Sequence, residues 1–322
     1  LDIAIKKPVI TLLIALSIFI ASLQLFPILG FSLFPSSEKP QFLVNIFSPM
    51  QSNIAYTDSI CKKIEKELKL IPEVHYVSAN VGKGNPRIYY NVIPLNERSD
   101  YAGIFVQLKE GTKATRKIEI IDQLRNKWTP YPGAKVEVKN FEQGPPVIAP
   151  IEVRILGKNI DTLRILAIKV ENLLAKNKAS IYINNPLKNL KSDIRVDIDK
   201  EKASMLGIPT VSIDRMIRMV ISGFDLGKMT DVNGNEFTIQ VSRPHANQPD
   251  LRVFDDLYVN NVQGTAIPLS QVAHLKLETS PQSISHVNKS RSVSVGSFVK
   301  KGYLNSDVIN EVESSLKQIS LP

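Results

Sequence analysis

Four histidines, His75, His245, His274 and His286, stand too far apart for an HExxH helix or for His/Cys metal spacing. The single cysteine, Cys61, excludes an internal disulfide and any cysteine-based zinc site. The GKG turn at Gly82–Gly84 lacks the pattern of a phosphate or dinucleotide loop, and no GxSxG nucleophile elbow occurs. The acids of DIDKE (Asp197–Glu201) sit at a strand end without the glycine and spacing of a calcium loop. Met205, Met216 and Met219 fall at or near one helical pattern and are expected in a core. No acid/base pair or activated nucleophile emerges, so the chain is not expected to be an enzyme, and it calls for no metal and no cofactor. The net charge of +9 comes from scattered lysines (KKIEKELK, TRKIEI, KVENLLAK) that read as solvated faces, with no Arg/aromatic run suited to nucleic acid.

The elements behind these residues fall into three kinds. Pro8 to Ser37 carries no charge. The apolar run Val9–Leu29 matches the roughly 20 residues that a bilayer core requires. A signal sequence would be shorter and would end in a small-residue cleavage site, which is missing here; a buried helix is the other alternative. Lys6 and Lys7 precede the run, so the positive-inside rule sets that end in the cytoplasm and the remainder on the far side.

After Pro35 comes an alternation of strands and helices. The pattern predicts strands over 41–49, 74–82, 87–93, 104–110 and 134–141, with helices over 54–70 and 115–127. Tyr89 and Tyr90 lie on the third of those strands, so alternation would let only one of them face a cleft. The grammar restarts with a strand at 150–157, a helix at 161–176 and a strand at 179–185. It is interrupted by a segment from about Asp197 to Leu275 that holds a helix at 211–222 and several strands. It then resumes at 292–300, followed by a helix at 305–318. The expected fold class is α+β. Two ferredoxin-like βαβ subdomains carry an inserted α+β subdomain and follow one transmembrane helix.

Four segments then resemble one family in the expected order. FSLFPSSEKPQFLVNIFSPMQSN resembles the junction after the seventh membrane helix of resistance-nodulation-division (RND) transporters. EQGPPVIAPIEVRILGKNIDTL resembles the link between their two porter subdomains. DIRVDIDKEKASMLGIPTVSIDRMI resembles the lead-in to their docking subdomain, and GTAIPLSQVA with ISHVNKSRSVSV resembles the return to the second porter subdomain. The resemblance implies a membrane helix and junction over 1–37, a first porter subdomain over 38–147 and a second begun over 148–196. It also implies a docking subdomain over 197–275 and a return over 276–322.

It further implies the periplasmic substrate-binding and conformational-coupling portion of a proton-driven multidrug or small-molecule efflux pump of the bacterial inner membrane. The implied partners are small-molecule substrates, a periplasmic adaptor, an outer-membrane channel, the inner membrane and two further copies in a homotrimer. By position, the substrate loop is Val81 to Arg87, which puts Val81, Lys83, Asn85, Tyr89 and Phe105 at the cargo site. Pro244, His245, Asn247 and Pro249 are implied to dock the channel. The loop carries glycine, Lys83 and Asn85 where drug exporters show phenylalanine. Metal-exporting members place methionines in this cleft, where the comparable positions are Val44 and Tyr89 with Met50 at a strand end; a metal-exporting pump is the alternative. A membrane-tethered enzyme or adaptor is the remaining one. The resemblance predicts a parent reading frame with more membrane helices after Pro322 and a similar periplasmic half before Leu1, which sequencing of that frame checks.

Overall fold

A computed structural model of the chain describes residues 5–29, 37–242 and 251–317. Helix α1 (Pro8–Leu29) has 22 residues and no charge. Its apolar side chains, Ile10, Leu13, Ile14 and Phe19 among them, are exposed. Its described side chains end at Gln24, and among the described residues no helix is long and apolar enough to cross a membrane. The expected span is therefore not shown, and the Phe34–Pro35 step lies outside the described residues.

The first module runs β1 (Gln41–Phe47), α2 (Ile54–Lys69), β2 (Val74–Val81), β3 (Tyr101–Leu108), α3 (Ala114–Trp128) and β4 (Lys135–Asn140). Its sheet has the order β2-β3-β1-β4, with every neighbouring pair antiparallel. Asn53 starts α2 by accepting from the Ala55 amide, as an N-cap should. Ile60, Cys61, Ile64 and Leu68 then recur at helical spacing and are buried against Val44, Ile46, Ile104 and Val106 of the sheet. Each full burial of an aliphatic side chain contributes about 2 kcal/mol. Helix α3 adds Ile120, Ile121, Leu124 and Trp128, and the Trp128 indole donates to Glu67 of α2 at 2.9 Å. Both helices thus cover one face of the sheet. Lys117 is fully buried on the same side of α3. Its ammonium donates to the carbonyls of Ser37 and Lys39.

The second module comprises β5 (Ile151–Gly157), α4 (Ile160–Lys176), β6 (Ser180–Asn184), β13 (Ser285–Val287), β14 (Ser290–Val299) and α7 (Asn305–Leu316). Strand β14 pairs antiparallel with β5, β6 and β13. Helices α4 and α7 supply Leu163, Ala167, Val170, Leu174, Val308 and Val312 to its core. Asn177, at the end of α4, donates to Glu311 of α7 at 2.7 Å. Gly296 is required where β14 passes β5, since a Cβ there would lie 2.9 Å from the Ala149 Cβ.

A separate compact unit spans Ser192–Ser280. It holds a β7 (Leu190–Ile198) to β12 (Ala273–Pro281) pair, α5 (Lys200–Met205) and α6 (Thr210–Ser222). It also holds the ribbons β8 (Phe224–Thr230) with β9 (Glu236–Val241) and β10 (Tyr258–Asn260) with β11 (Ala266–Pro268). Ala203, Ile208, Ile213, Phe254, Val259 and Leu269 belong to its core. The acid cluster of DIDKE has a structural use, because Asp199 caps α5 through the Lys202 amide.

Two expectations fail. Residues 87–93 form no strand. Tyr101 to Leu108 fills the place beside β1, while the 87–93 backbone turns between Pro86 and Pro94, with the Val92 amide on the Tyr89 carbonyl. Met205 is 85% exposed, because it ends α5 on the side away from Ala203.

Burial, with the nearby Glu65 and Asp58 charges, pushes the Cys61 thiol up to about 12. A thiol reagent at neutral pH is expected to label the native chain far more slowly than a free thiol and to reach one equivalent after denaturation. Native labelling as fast as that of the unfolded chain would contradict this burial.

Candidate functional site

Among the described residues, the sheet of the first module has helices on one face only, and its opposite face presents Asn45, Phe105 and Glu137. Strand alternation sends Val44 and Ile46 inward and Leu43, Asn45 and Phe47 outward. The register then builds cross-strand rows. Asn45 sits opposite Gly103 and Glu137, and Gly103 sits opposite Asn80. A polar row, Asn80–Gly103–Asn45–Glu137, therefore crosses all four strands. The next row is Ser78–Phe105–Leu43–Lys139.

Each polar member has a partner. Glu137 is buried between Lys135 at 2.9 Å and Lys139 at 2.8 Å. The Tyr101 hydroxyl donates to Asn45 at 2.9 Å. Burial, reinforced by the Glu137 charge, pushes that phenol up to about 12, so it remains a donor at neutral pH.

The loop after β2 folds across this face. Gly82 has φ +86°, and its amide and carbonyl meet Tyr101 and Arg98, which closes the loop at its base. Gly84 is needed because the chain crosses itself there: its amide donates to Leu95, and a Cβ would lie 2.5 Å from the Leu95 nitrogen. Arg98 locks the return with paired 2.7 Å bonds to Asp100, whose carboxyl is held below the usual range by that guanidinium.

The structure brings together only some of the expected residues. Val81 is half-buried and packs on the helix-side core. Lys83 is exposed and Asn85 half-buried; both line an open cavity of about 640 Å³ with Gly84, Pro86, Pro94, Leu95, Asn96 and Glu97. Asn85 also reaches back to the polar row, accepting from Asn80 at 2.6 Å. It lies over Gly103, where a Cβ would come within 3.1 Å of its amide nitrogen.

Tyr89 and Phe105 do not line that cavity. Tyr89 donates to Gln41 at 2.6 Å, with its ring 4.9 Å from Phe141. Phe105 is 8% exposed, 6.1 Å from Phe141 and 6.3 Å from Tyr76. With 87–93 not a strand, alternation does not choose between Tyr89 and Tyr90, and the Tyr90 hydroxyl instead reaches the Gly144 carbonyl at 2.7 Å.

Phe141, Asn45 and Glu137 were missed as site residues. The signal was present in AKVEVKNF, where inward Val136 and Val138 force Lys135, Glu137 and Lys139 outward. Pro244, His245, Asn247 and Pro249 lie outside the described residues. Among the described residues no cluster of three or more His, Cys, Asp or Glu could hold a metal. Val44, in the core, has no donor atom and Tyr89 offers only a phenol oxygen bonded to Gln41, so neither is a soft ligand.

The model of the AcrB/AcrD/AcrF family matches residues 1–322. The chain belongs to that family, which is the RND transporter family. An "Uncharacterized transporter" of Haemophilus influenzae (strain ATCC 51907 / DSM 11121 / KW20 / Rd) is 26% identical over 296 residues, covering 88% of this chain and 27% of the relative. "Multidrug resistance protein MdtC" of Proteus mirabilis (strain HI4320) is 22% identical over 265 residues, covering 80% of this chain and 24% of the relative. This RND-family chain thus spans about a quarter of the relatives it matches.

Two crystal forms of a "heavy metal efflux pump" superpose with TM-scores of 0.78 and 0.76 at 16% and 17% identity. Each match covers 96% of this chain and 32% of the other, and at that identity it shows the fold alone. The family chain is a mixed α/β structure with antiparallel sheets, matching RND pump structures.

Phe105→Ala is expected to cost about 3 kcal/mol in chemical denaturation, as deletion of a buried ring does. Lys83→Ala, at an exposed site, is expected to stay within about 0.5 kcal/mol. Equal losses would show that Phe105 is not packed as described.

Proposed function

We propose that this chain is the cargo-contacting and motion-coupling portion of a proton-driven RND exporter. In this reading α1 is an inner-membrane helix, the two modules are ferredoxin-like porter subdomains on the periplasmic side, and 192–280 is the docking unit. The observation that carries the proposal is the helix-free face of the first sheet. A hydrogen-bonded polar row there runs beside the Phe105–Phe141–Tyr89 aromatic group. Such a wall pairs large, rigid apolar area with a few fixed hydrogen-bonding groups, the combination a small-molecule site uses.

Family membership and the multidrug name of one relative support an exported organic cargo. The polar loop of Lys83, Asn85 and Asn96 favours molecules with hydrogen-bonding groups over purely polyaromatic ones. Adaptor, channel and trimer partners belong to the same proposal, as does the placement of α1, whose exposed uncharged surface suits lipid.

A deletion strain complemented with the full-length gene and challenged with a compound panel tests the reading. Complementation is expected to raise resistance to some compounds, and Asn45→Leu to lower it for part of that set at equal expression. Unchanged susceptibility throughout would overturn organic export. Tight binding of Cu(I) or Ag(I) by the purified chain would favour the metal-exporting alternative, which the described fold also fits.

A further inference from the structure

Strand β4 is an edge of the first sheet, and among the described residues no further strand pairs with its outer side. At Val138 that vacancy is filled from the second module, which shares one compact unit with the first. The Val138 amide donates to the Tyr182 hydroxyl at 2.8 Å, and the same hydroxyl returns to the Val138 carbonyl at 3.3 Å. One side chain thus meets the amide and the carbonyl of a single edge residue, as a partner strand would.

Tyr182 reaches β4 because β6 is irregular there. The β6–β14 register shifts between Gly296 and Phe298, and Tyr182 adopts φ +53°. A left-handed conformation is costly for a bulky residue, and a bulge of this kind re-aims a side chain out of its own ladder. Three further contacts converge on the same place. Arg125 stacks over the Tyr182 ring at 5.8 Å while donating to the Val138 carbonyl at 2.9 Å. Lys139 lies 4.1 Å over Phe298, which is edge-on to Tyr182. Lys135 donates to the Ile183 carbonyl at 3.2 Å.

We propose that Tyr182 is a positioning residue, a hydroxyl latch that fixes the second module against the open edge of the first. The latch rests on geometry independent of any cargo, so its test stands apart from the transport reading. Because it is one side chain on a bulge, its release leaves both sheets intact. Lys135 on the Ile183 carbonyl and Lys139 on the Phe298 ring then remain across the two modules, along with the 141–150 segment that joins them.

Amide hydrogen exchange in the full 322-residue chain tests the latch. Tyr182→Phe keeps the ring and removes the hydroxyl, so the Val138 amide is expected to exchange about tenfold faster or more, with Val136 and the α2 amides unchanged. Arg125→Gln, which spares the amide contact, is expected to leave Val138 protected. Unaltered Val138 protection in Tyr182→Phe would overturn the proposal. Faster exchange throughout the first module in Tyr182→Phe would also overturn it, by showing a general structural role.

Discussion

Lys117 extends from the core side of α3 with no solvent access and rests its ammonium on the carbonyls of Ser37 and Lys39. Burial lowers its pKa, the Glu38 charge acts the other way, and the two carbonyls take the place of water around the ammonium. The position of the chain just ahead of β1 is thereby fixed. From there the Pro40 carbonyl accepts the Leu108 amide, and the Ser37 amide donates to Phe141. Strand β1 is thus registered against β3 and β4 at once. A slip of one residue would turn Asn45 into the core and Val44 onto the open face. The polar row depends on this register, and the buried Lys117 ammonium braces the chain just ahead of it.

The same dependence explains how the loop after β2 came to be built. Once Gly103 leaves a gap in the polar row, Asn85 can lie in it and bond Asn80. Gly82 and Gly84 serve this geometry, one by its positive φ and one by the crossing of backbone. A loop stitched by Arg98–Asp100, Tyr89–Gln41 and Tyr90–Gly144 is anchored mainly by side chains. Lys83 and Glu97, exposed at its neck between the Gly82 and Gly84 closures, line the open cavity.

The alternation of strands and helices was legible because β1, α2, β4 and α4 carry clean periods of two or 3.6 residues. Where side chains rather than periodicity decide, sequence reading failed. RIYYNVI has strand composition, yet its tyrosine hydroxyls and Asn91 are spent on Gln41, Gly144 and Glu142, which are remote in sequence. FDLGKMT, carrying Asp225 and Gly227, has weak strand character and pairs only because β9 lies beside it. The outward set Lys135, Glu137 and Lys139 was readable from AKVEVKNF, but its value depended on a register that no single strand encodes. The turn of Tyr182 could not be read at all, since nothing in SIYIN announces a left-handed tyrosine.

The β8–β9 ribbon is exposed along both strands, with Phe224, Leu226, Met229, Phe237, Ile239 and Val241 all uncovered. Two strands alone are marginal in water, and among the described residues no third strand pairs with either of these. What ties the ribbon's strands side to side, beyond the backbone ladder, is the Lys228–Glu236 pair at 2.7 Å and the Gln240–Asp225 bond at 3.1 Å, so the hairpin relies on polar cross-links where a core would otherwise hold it.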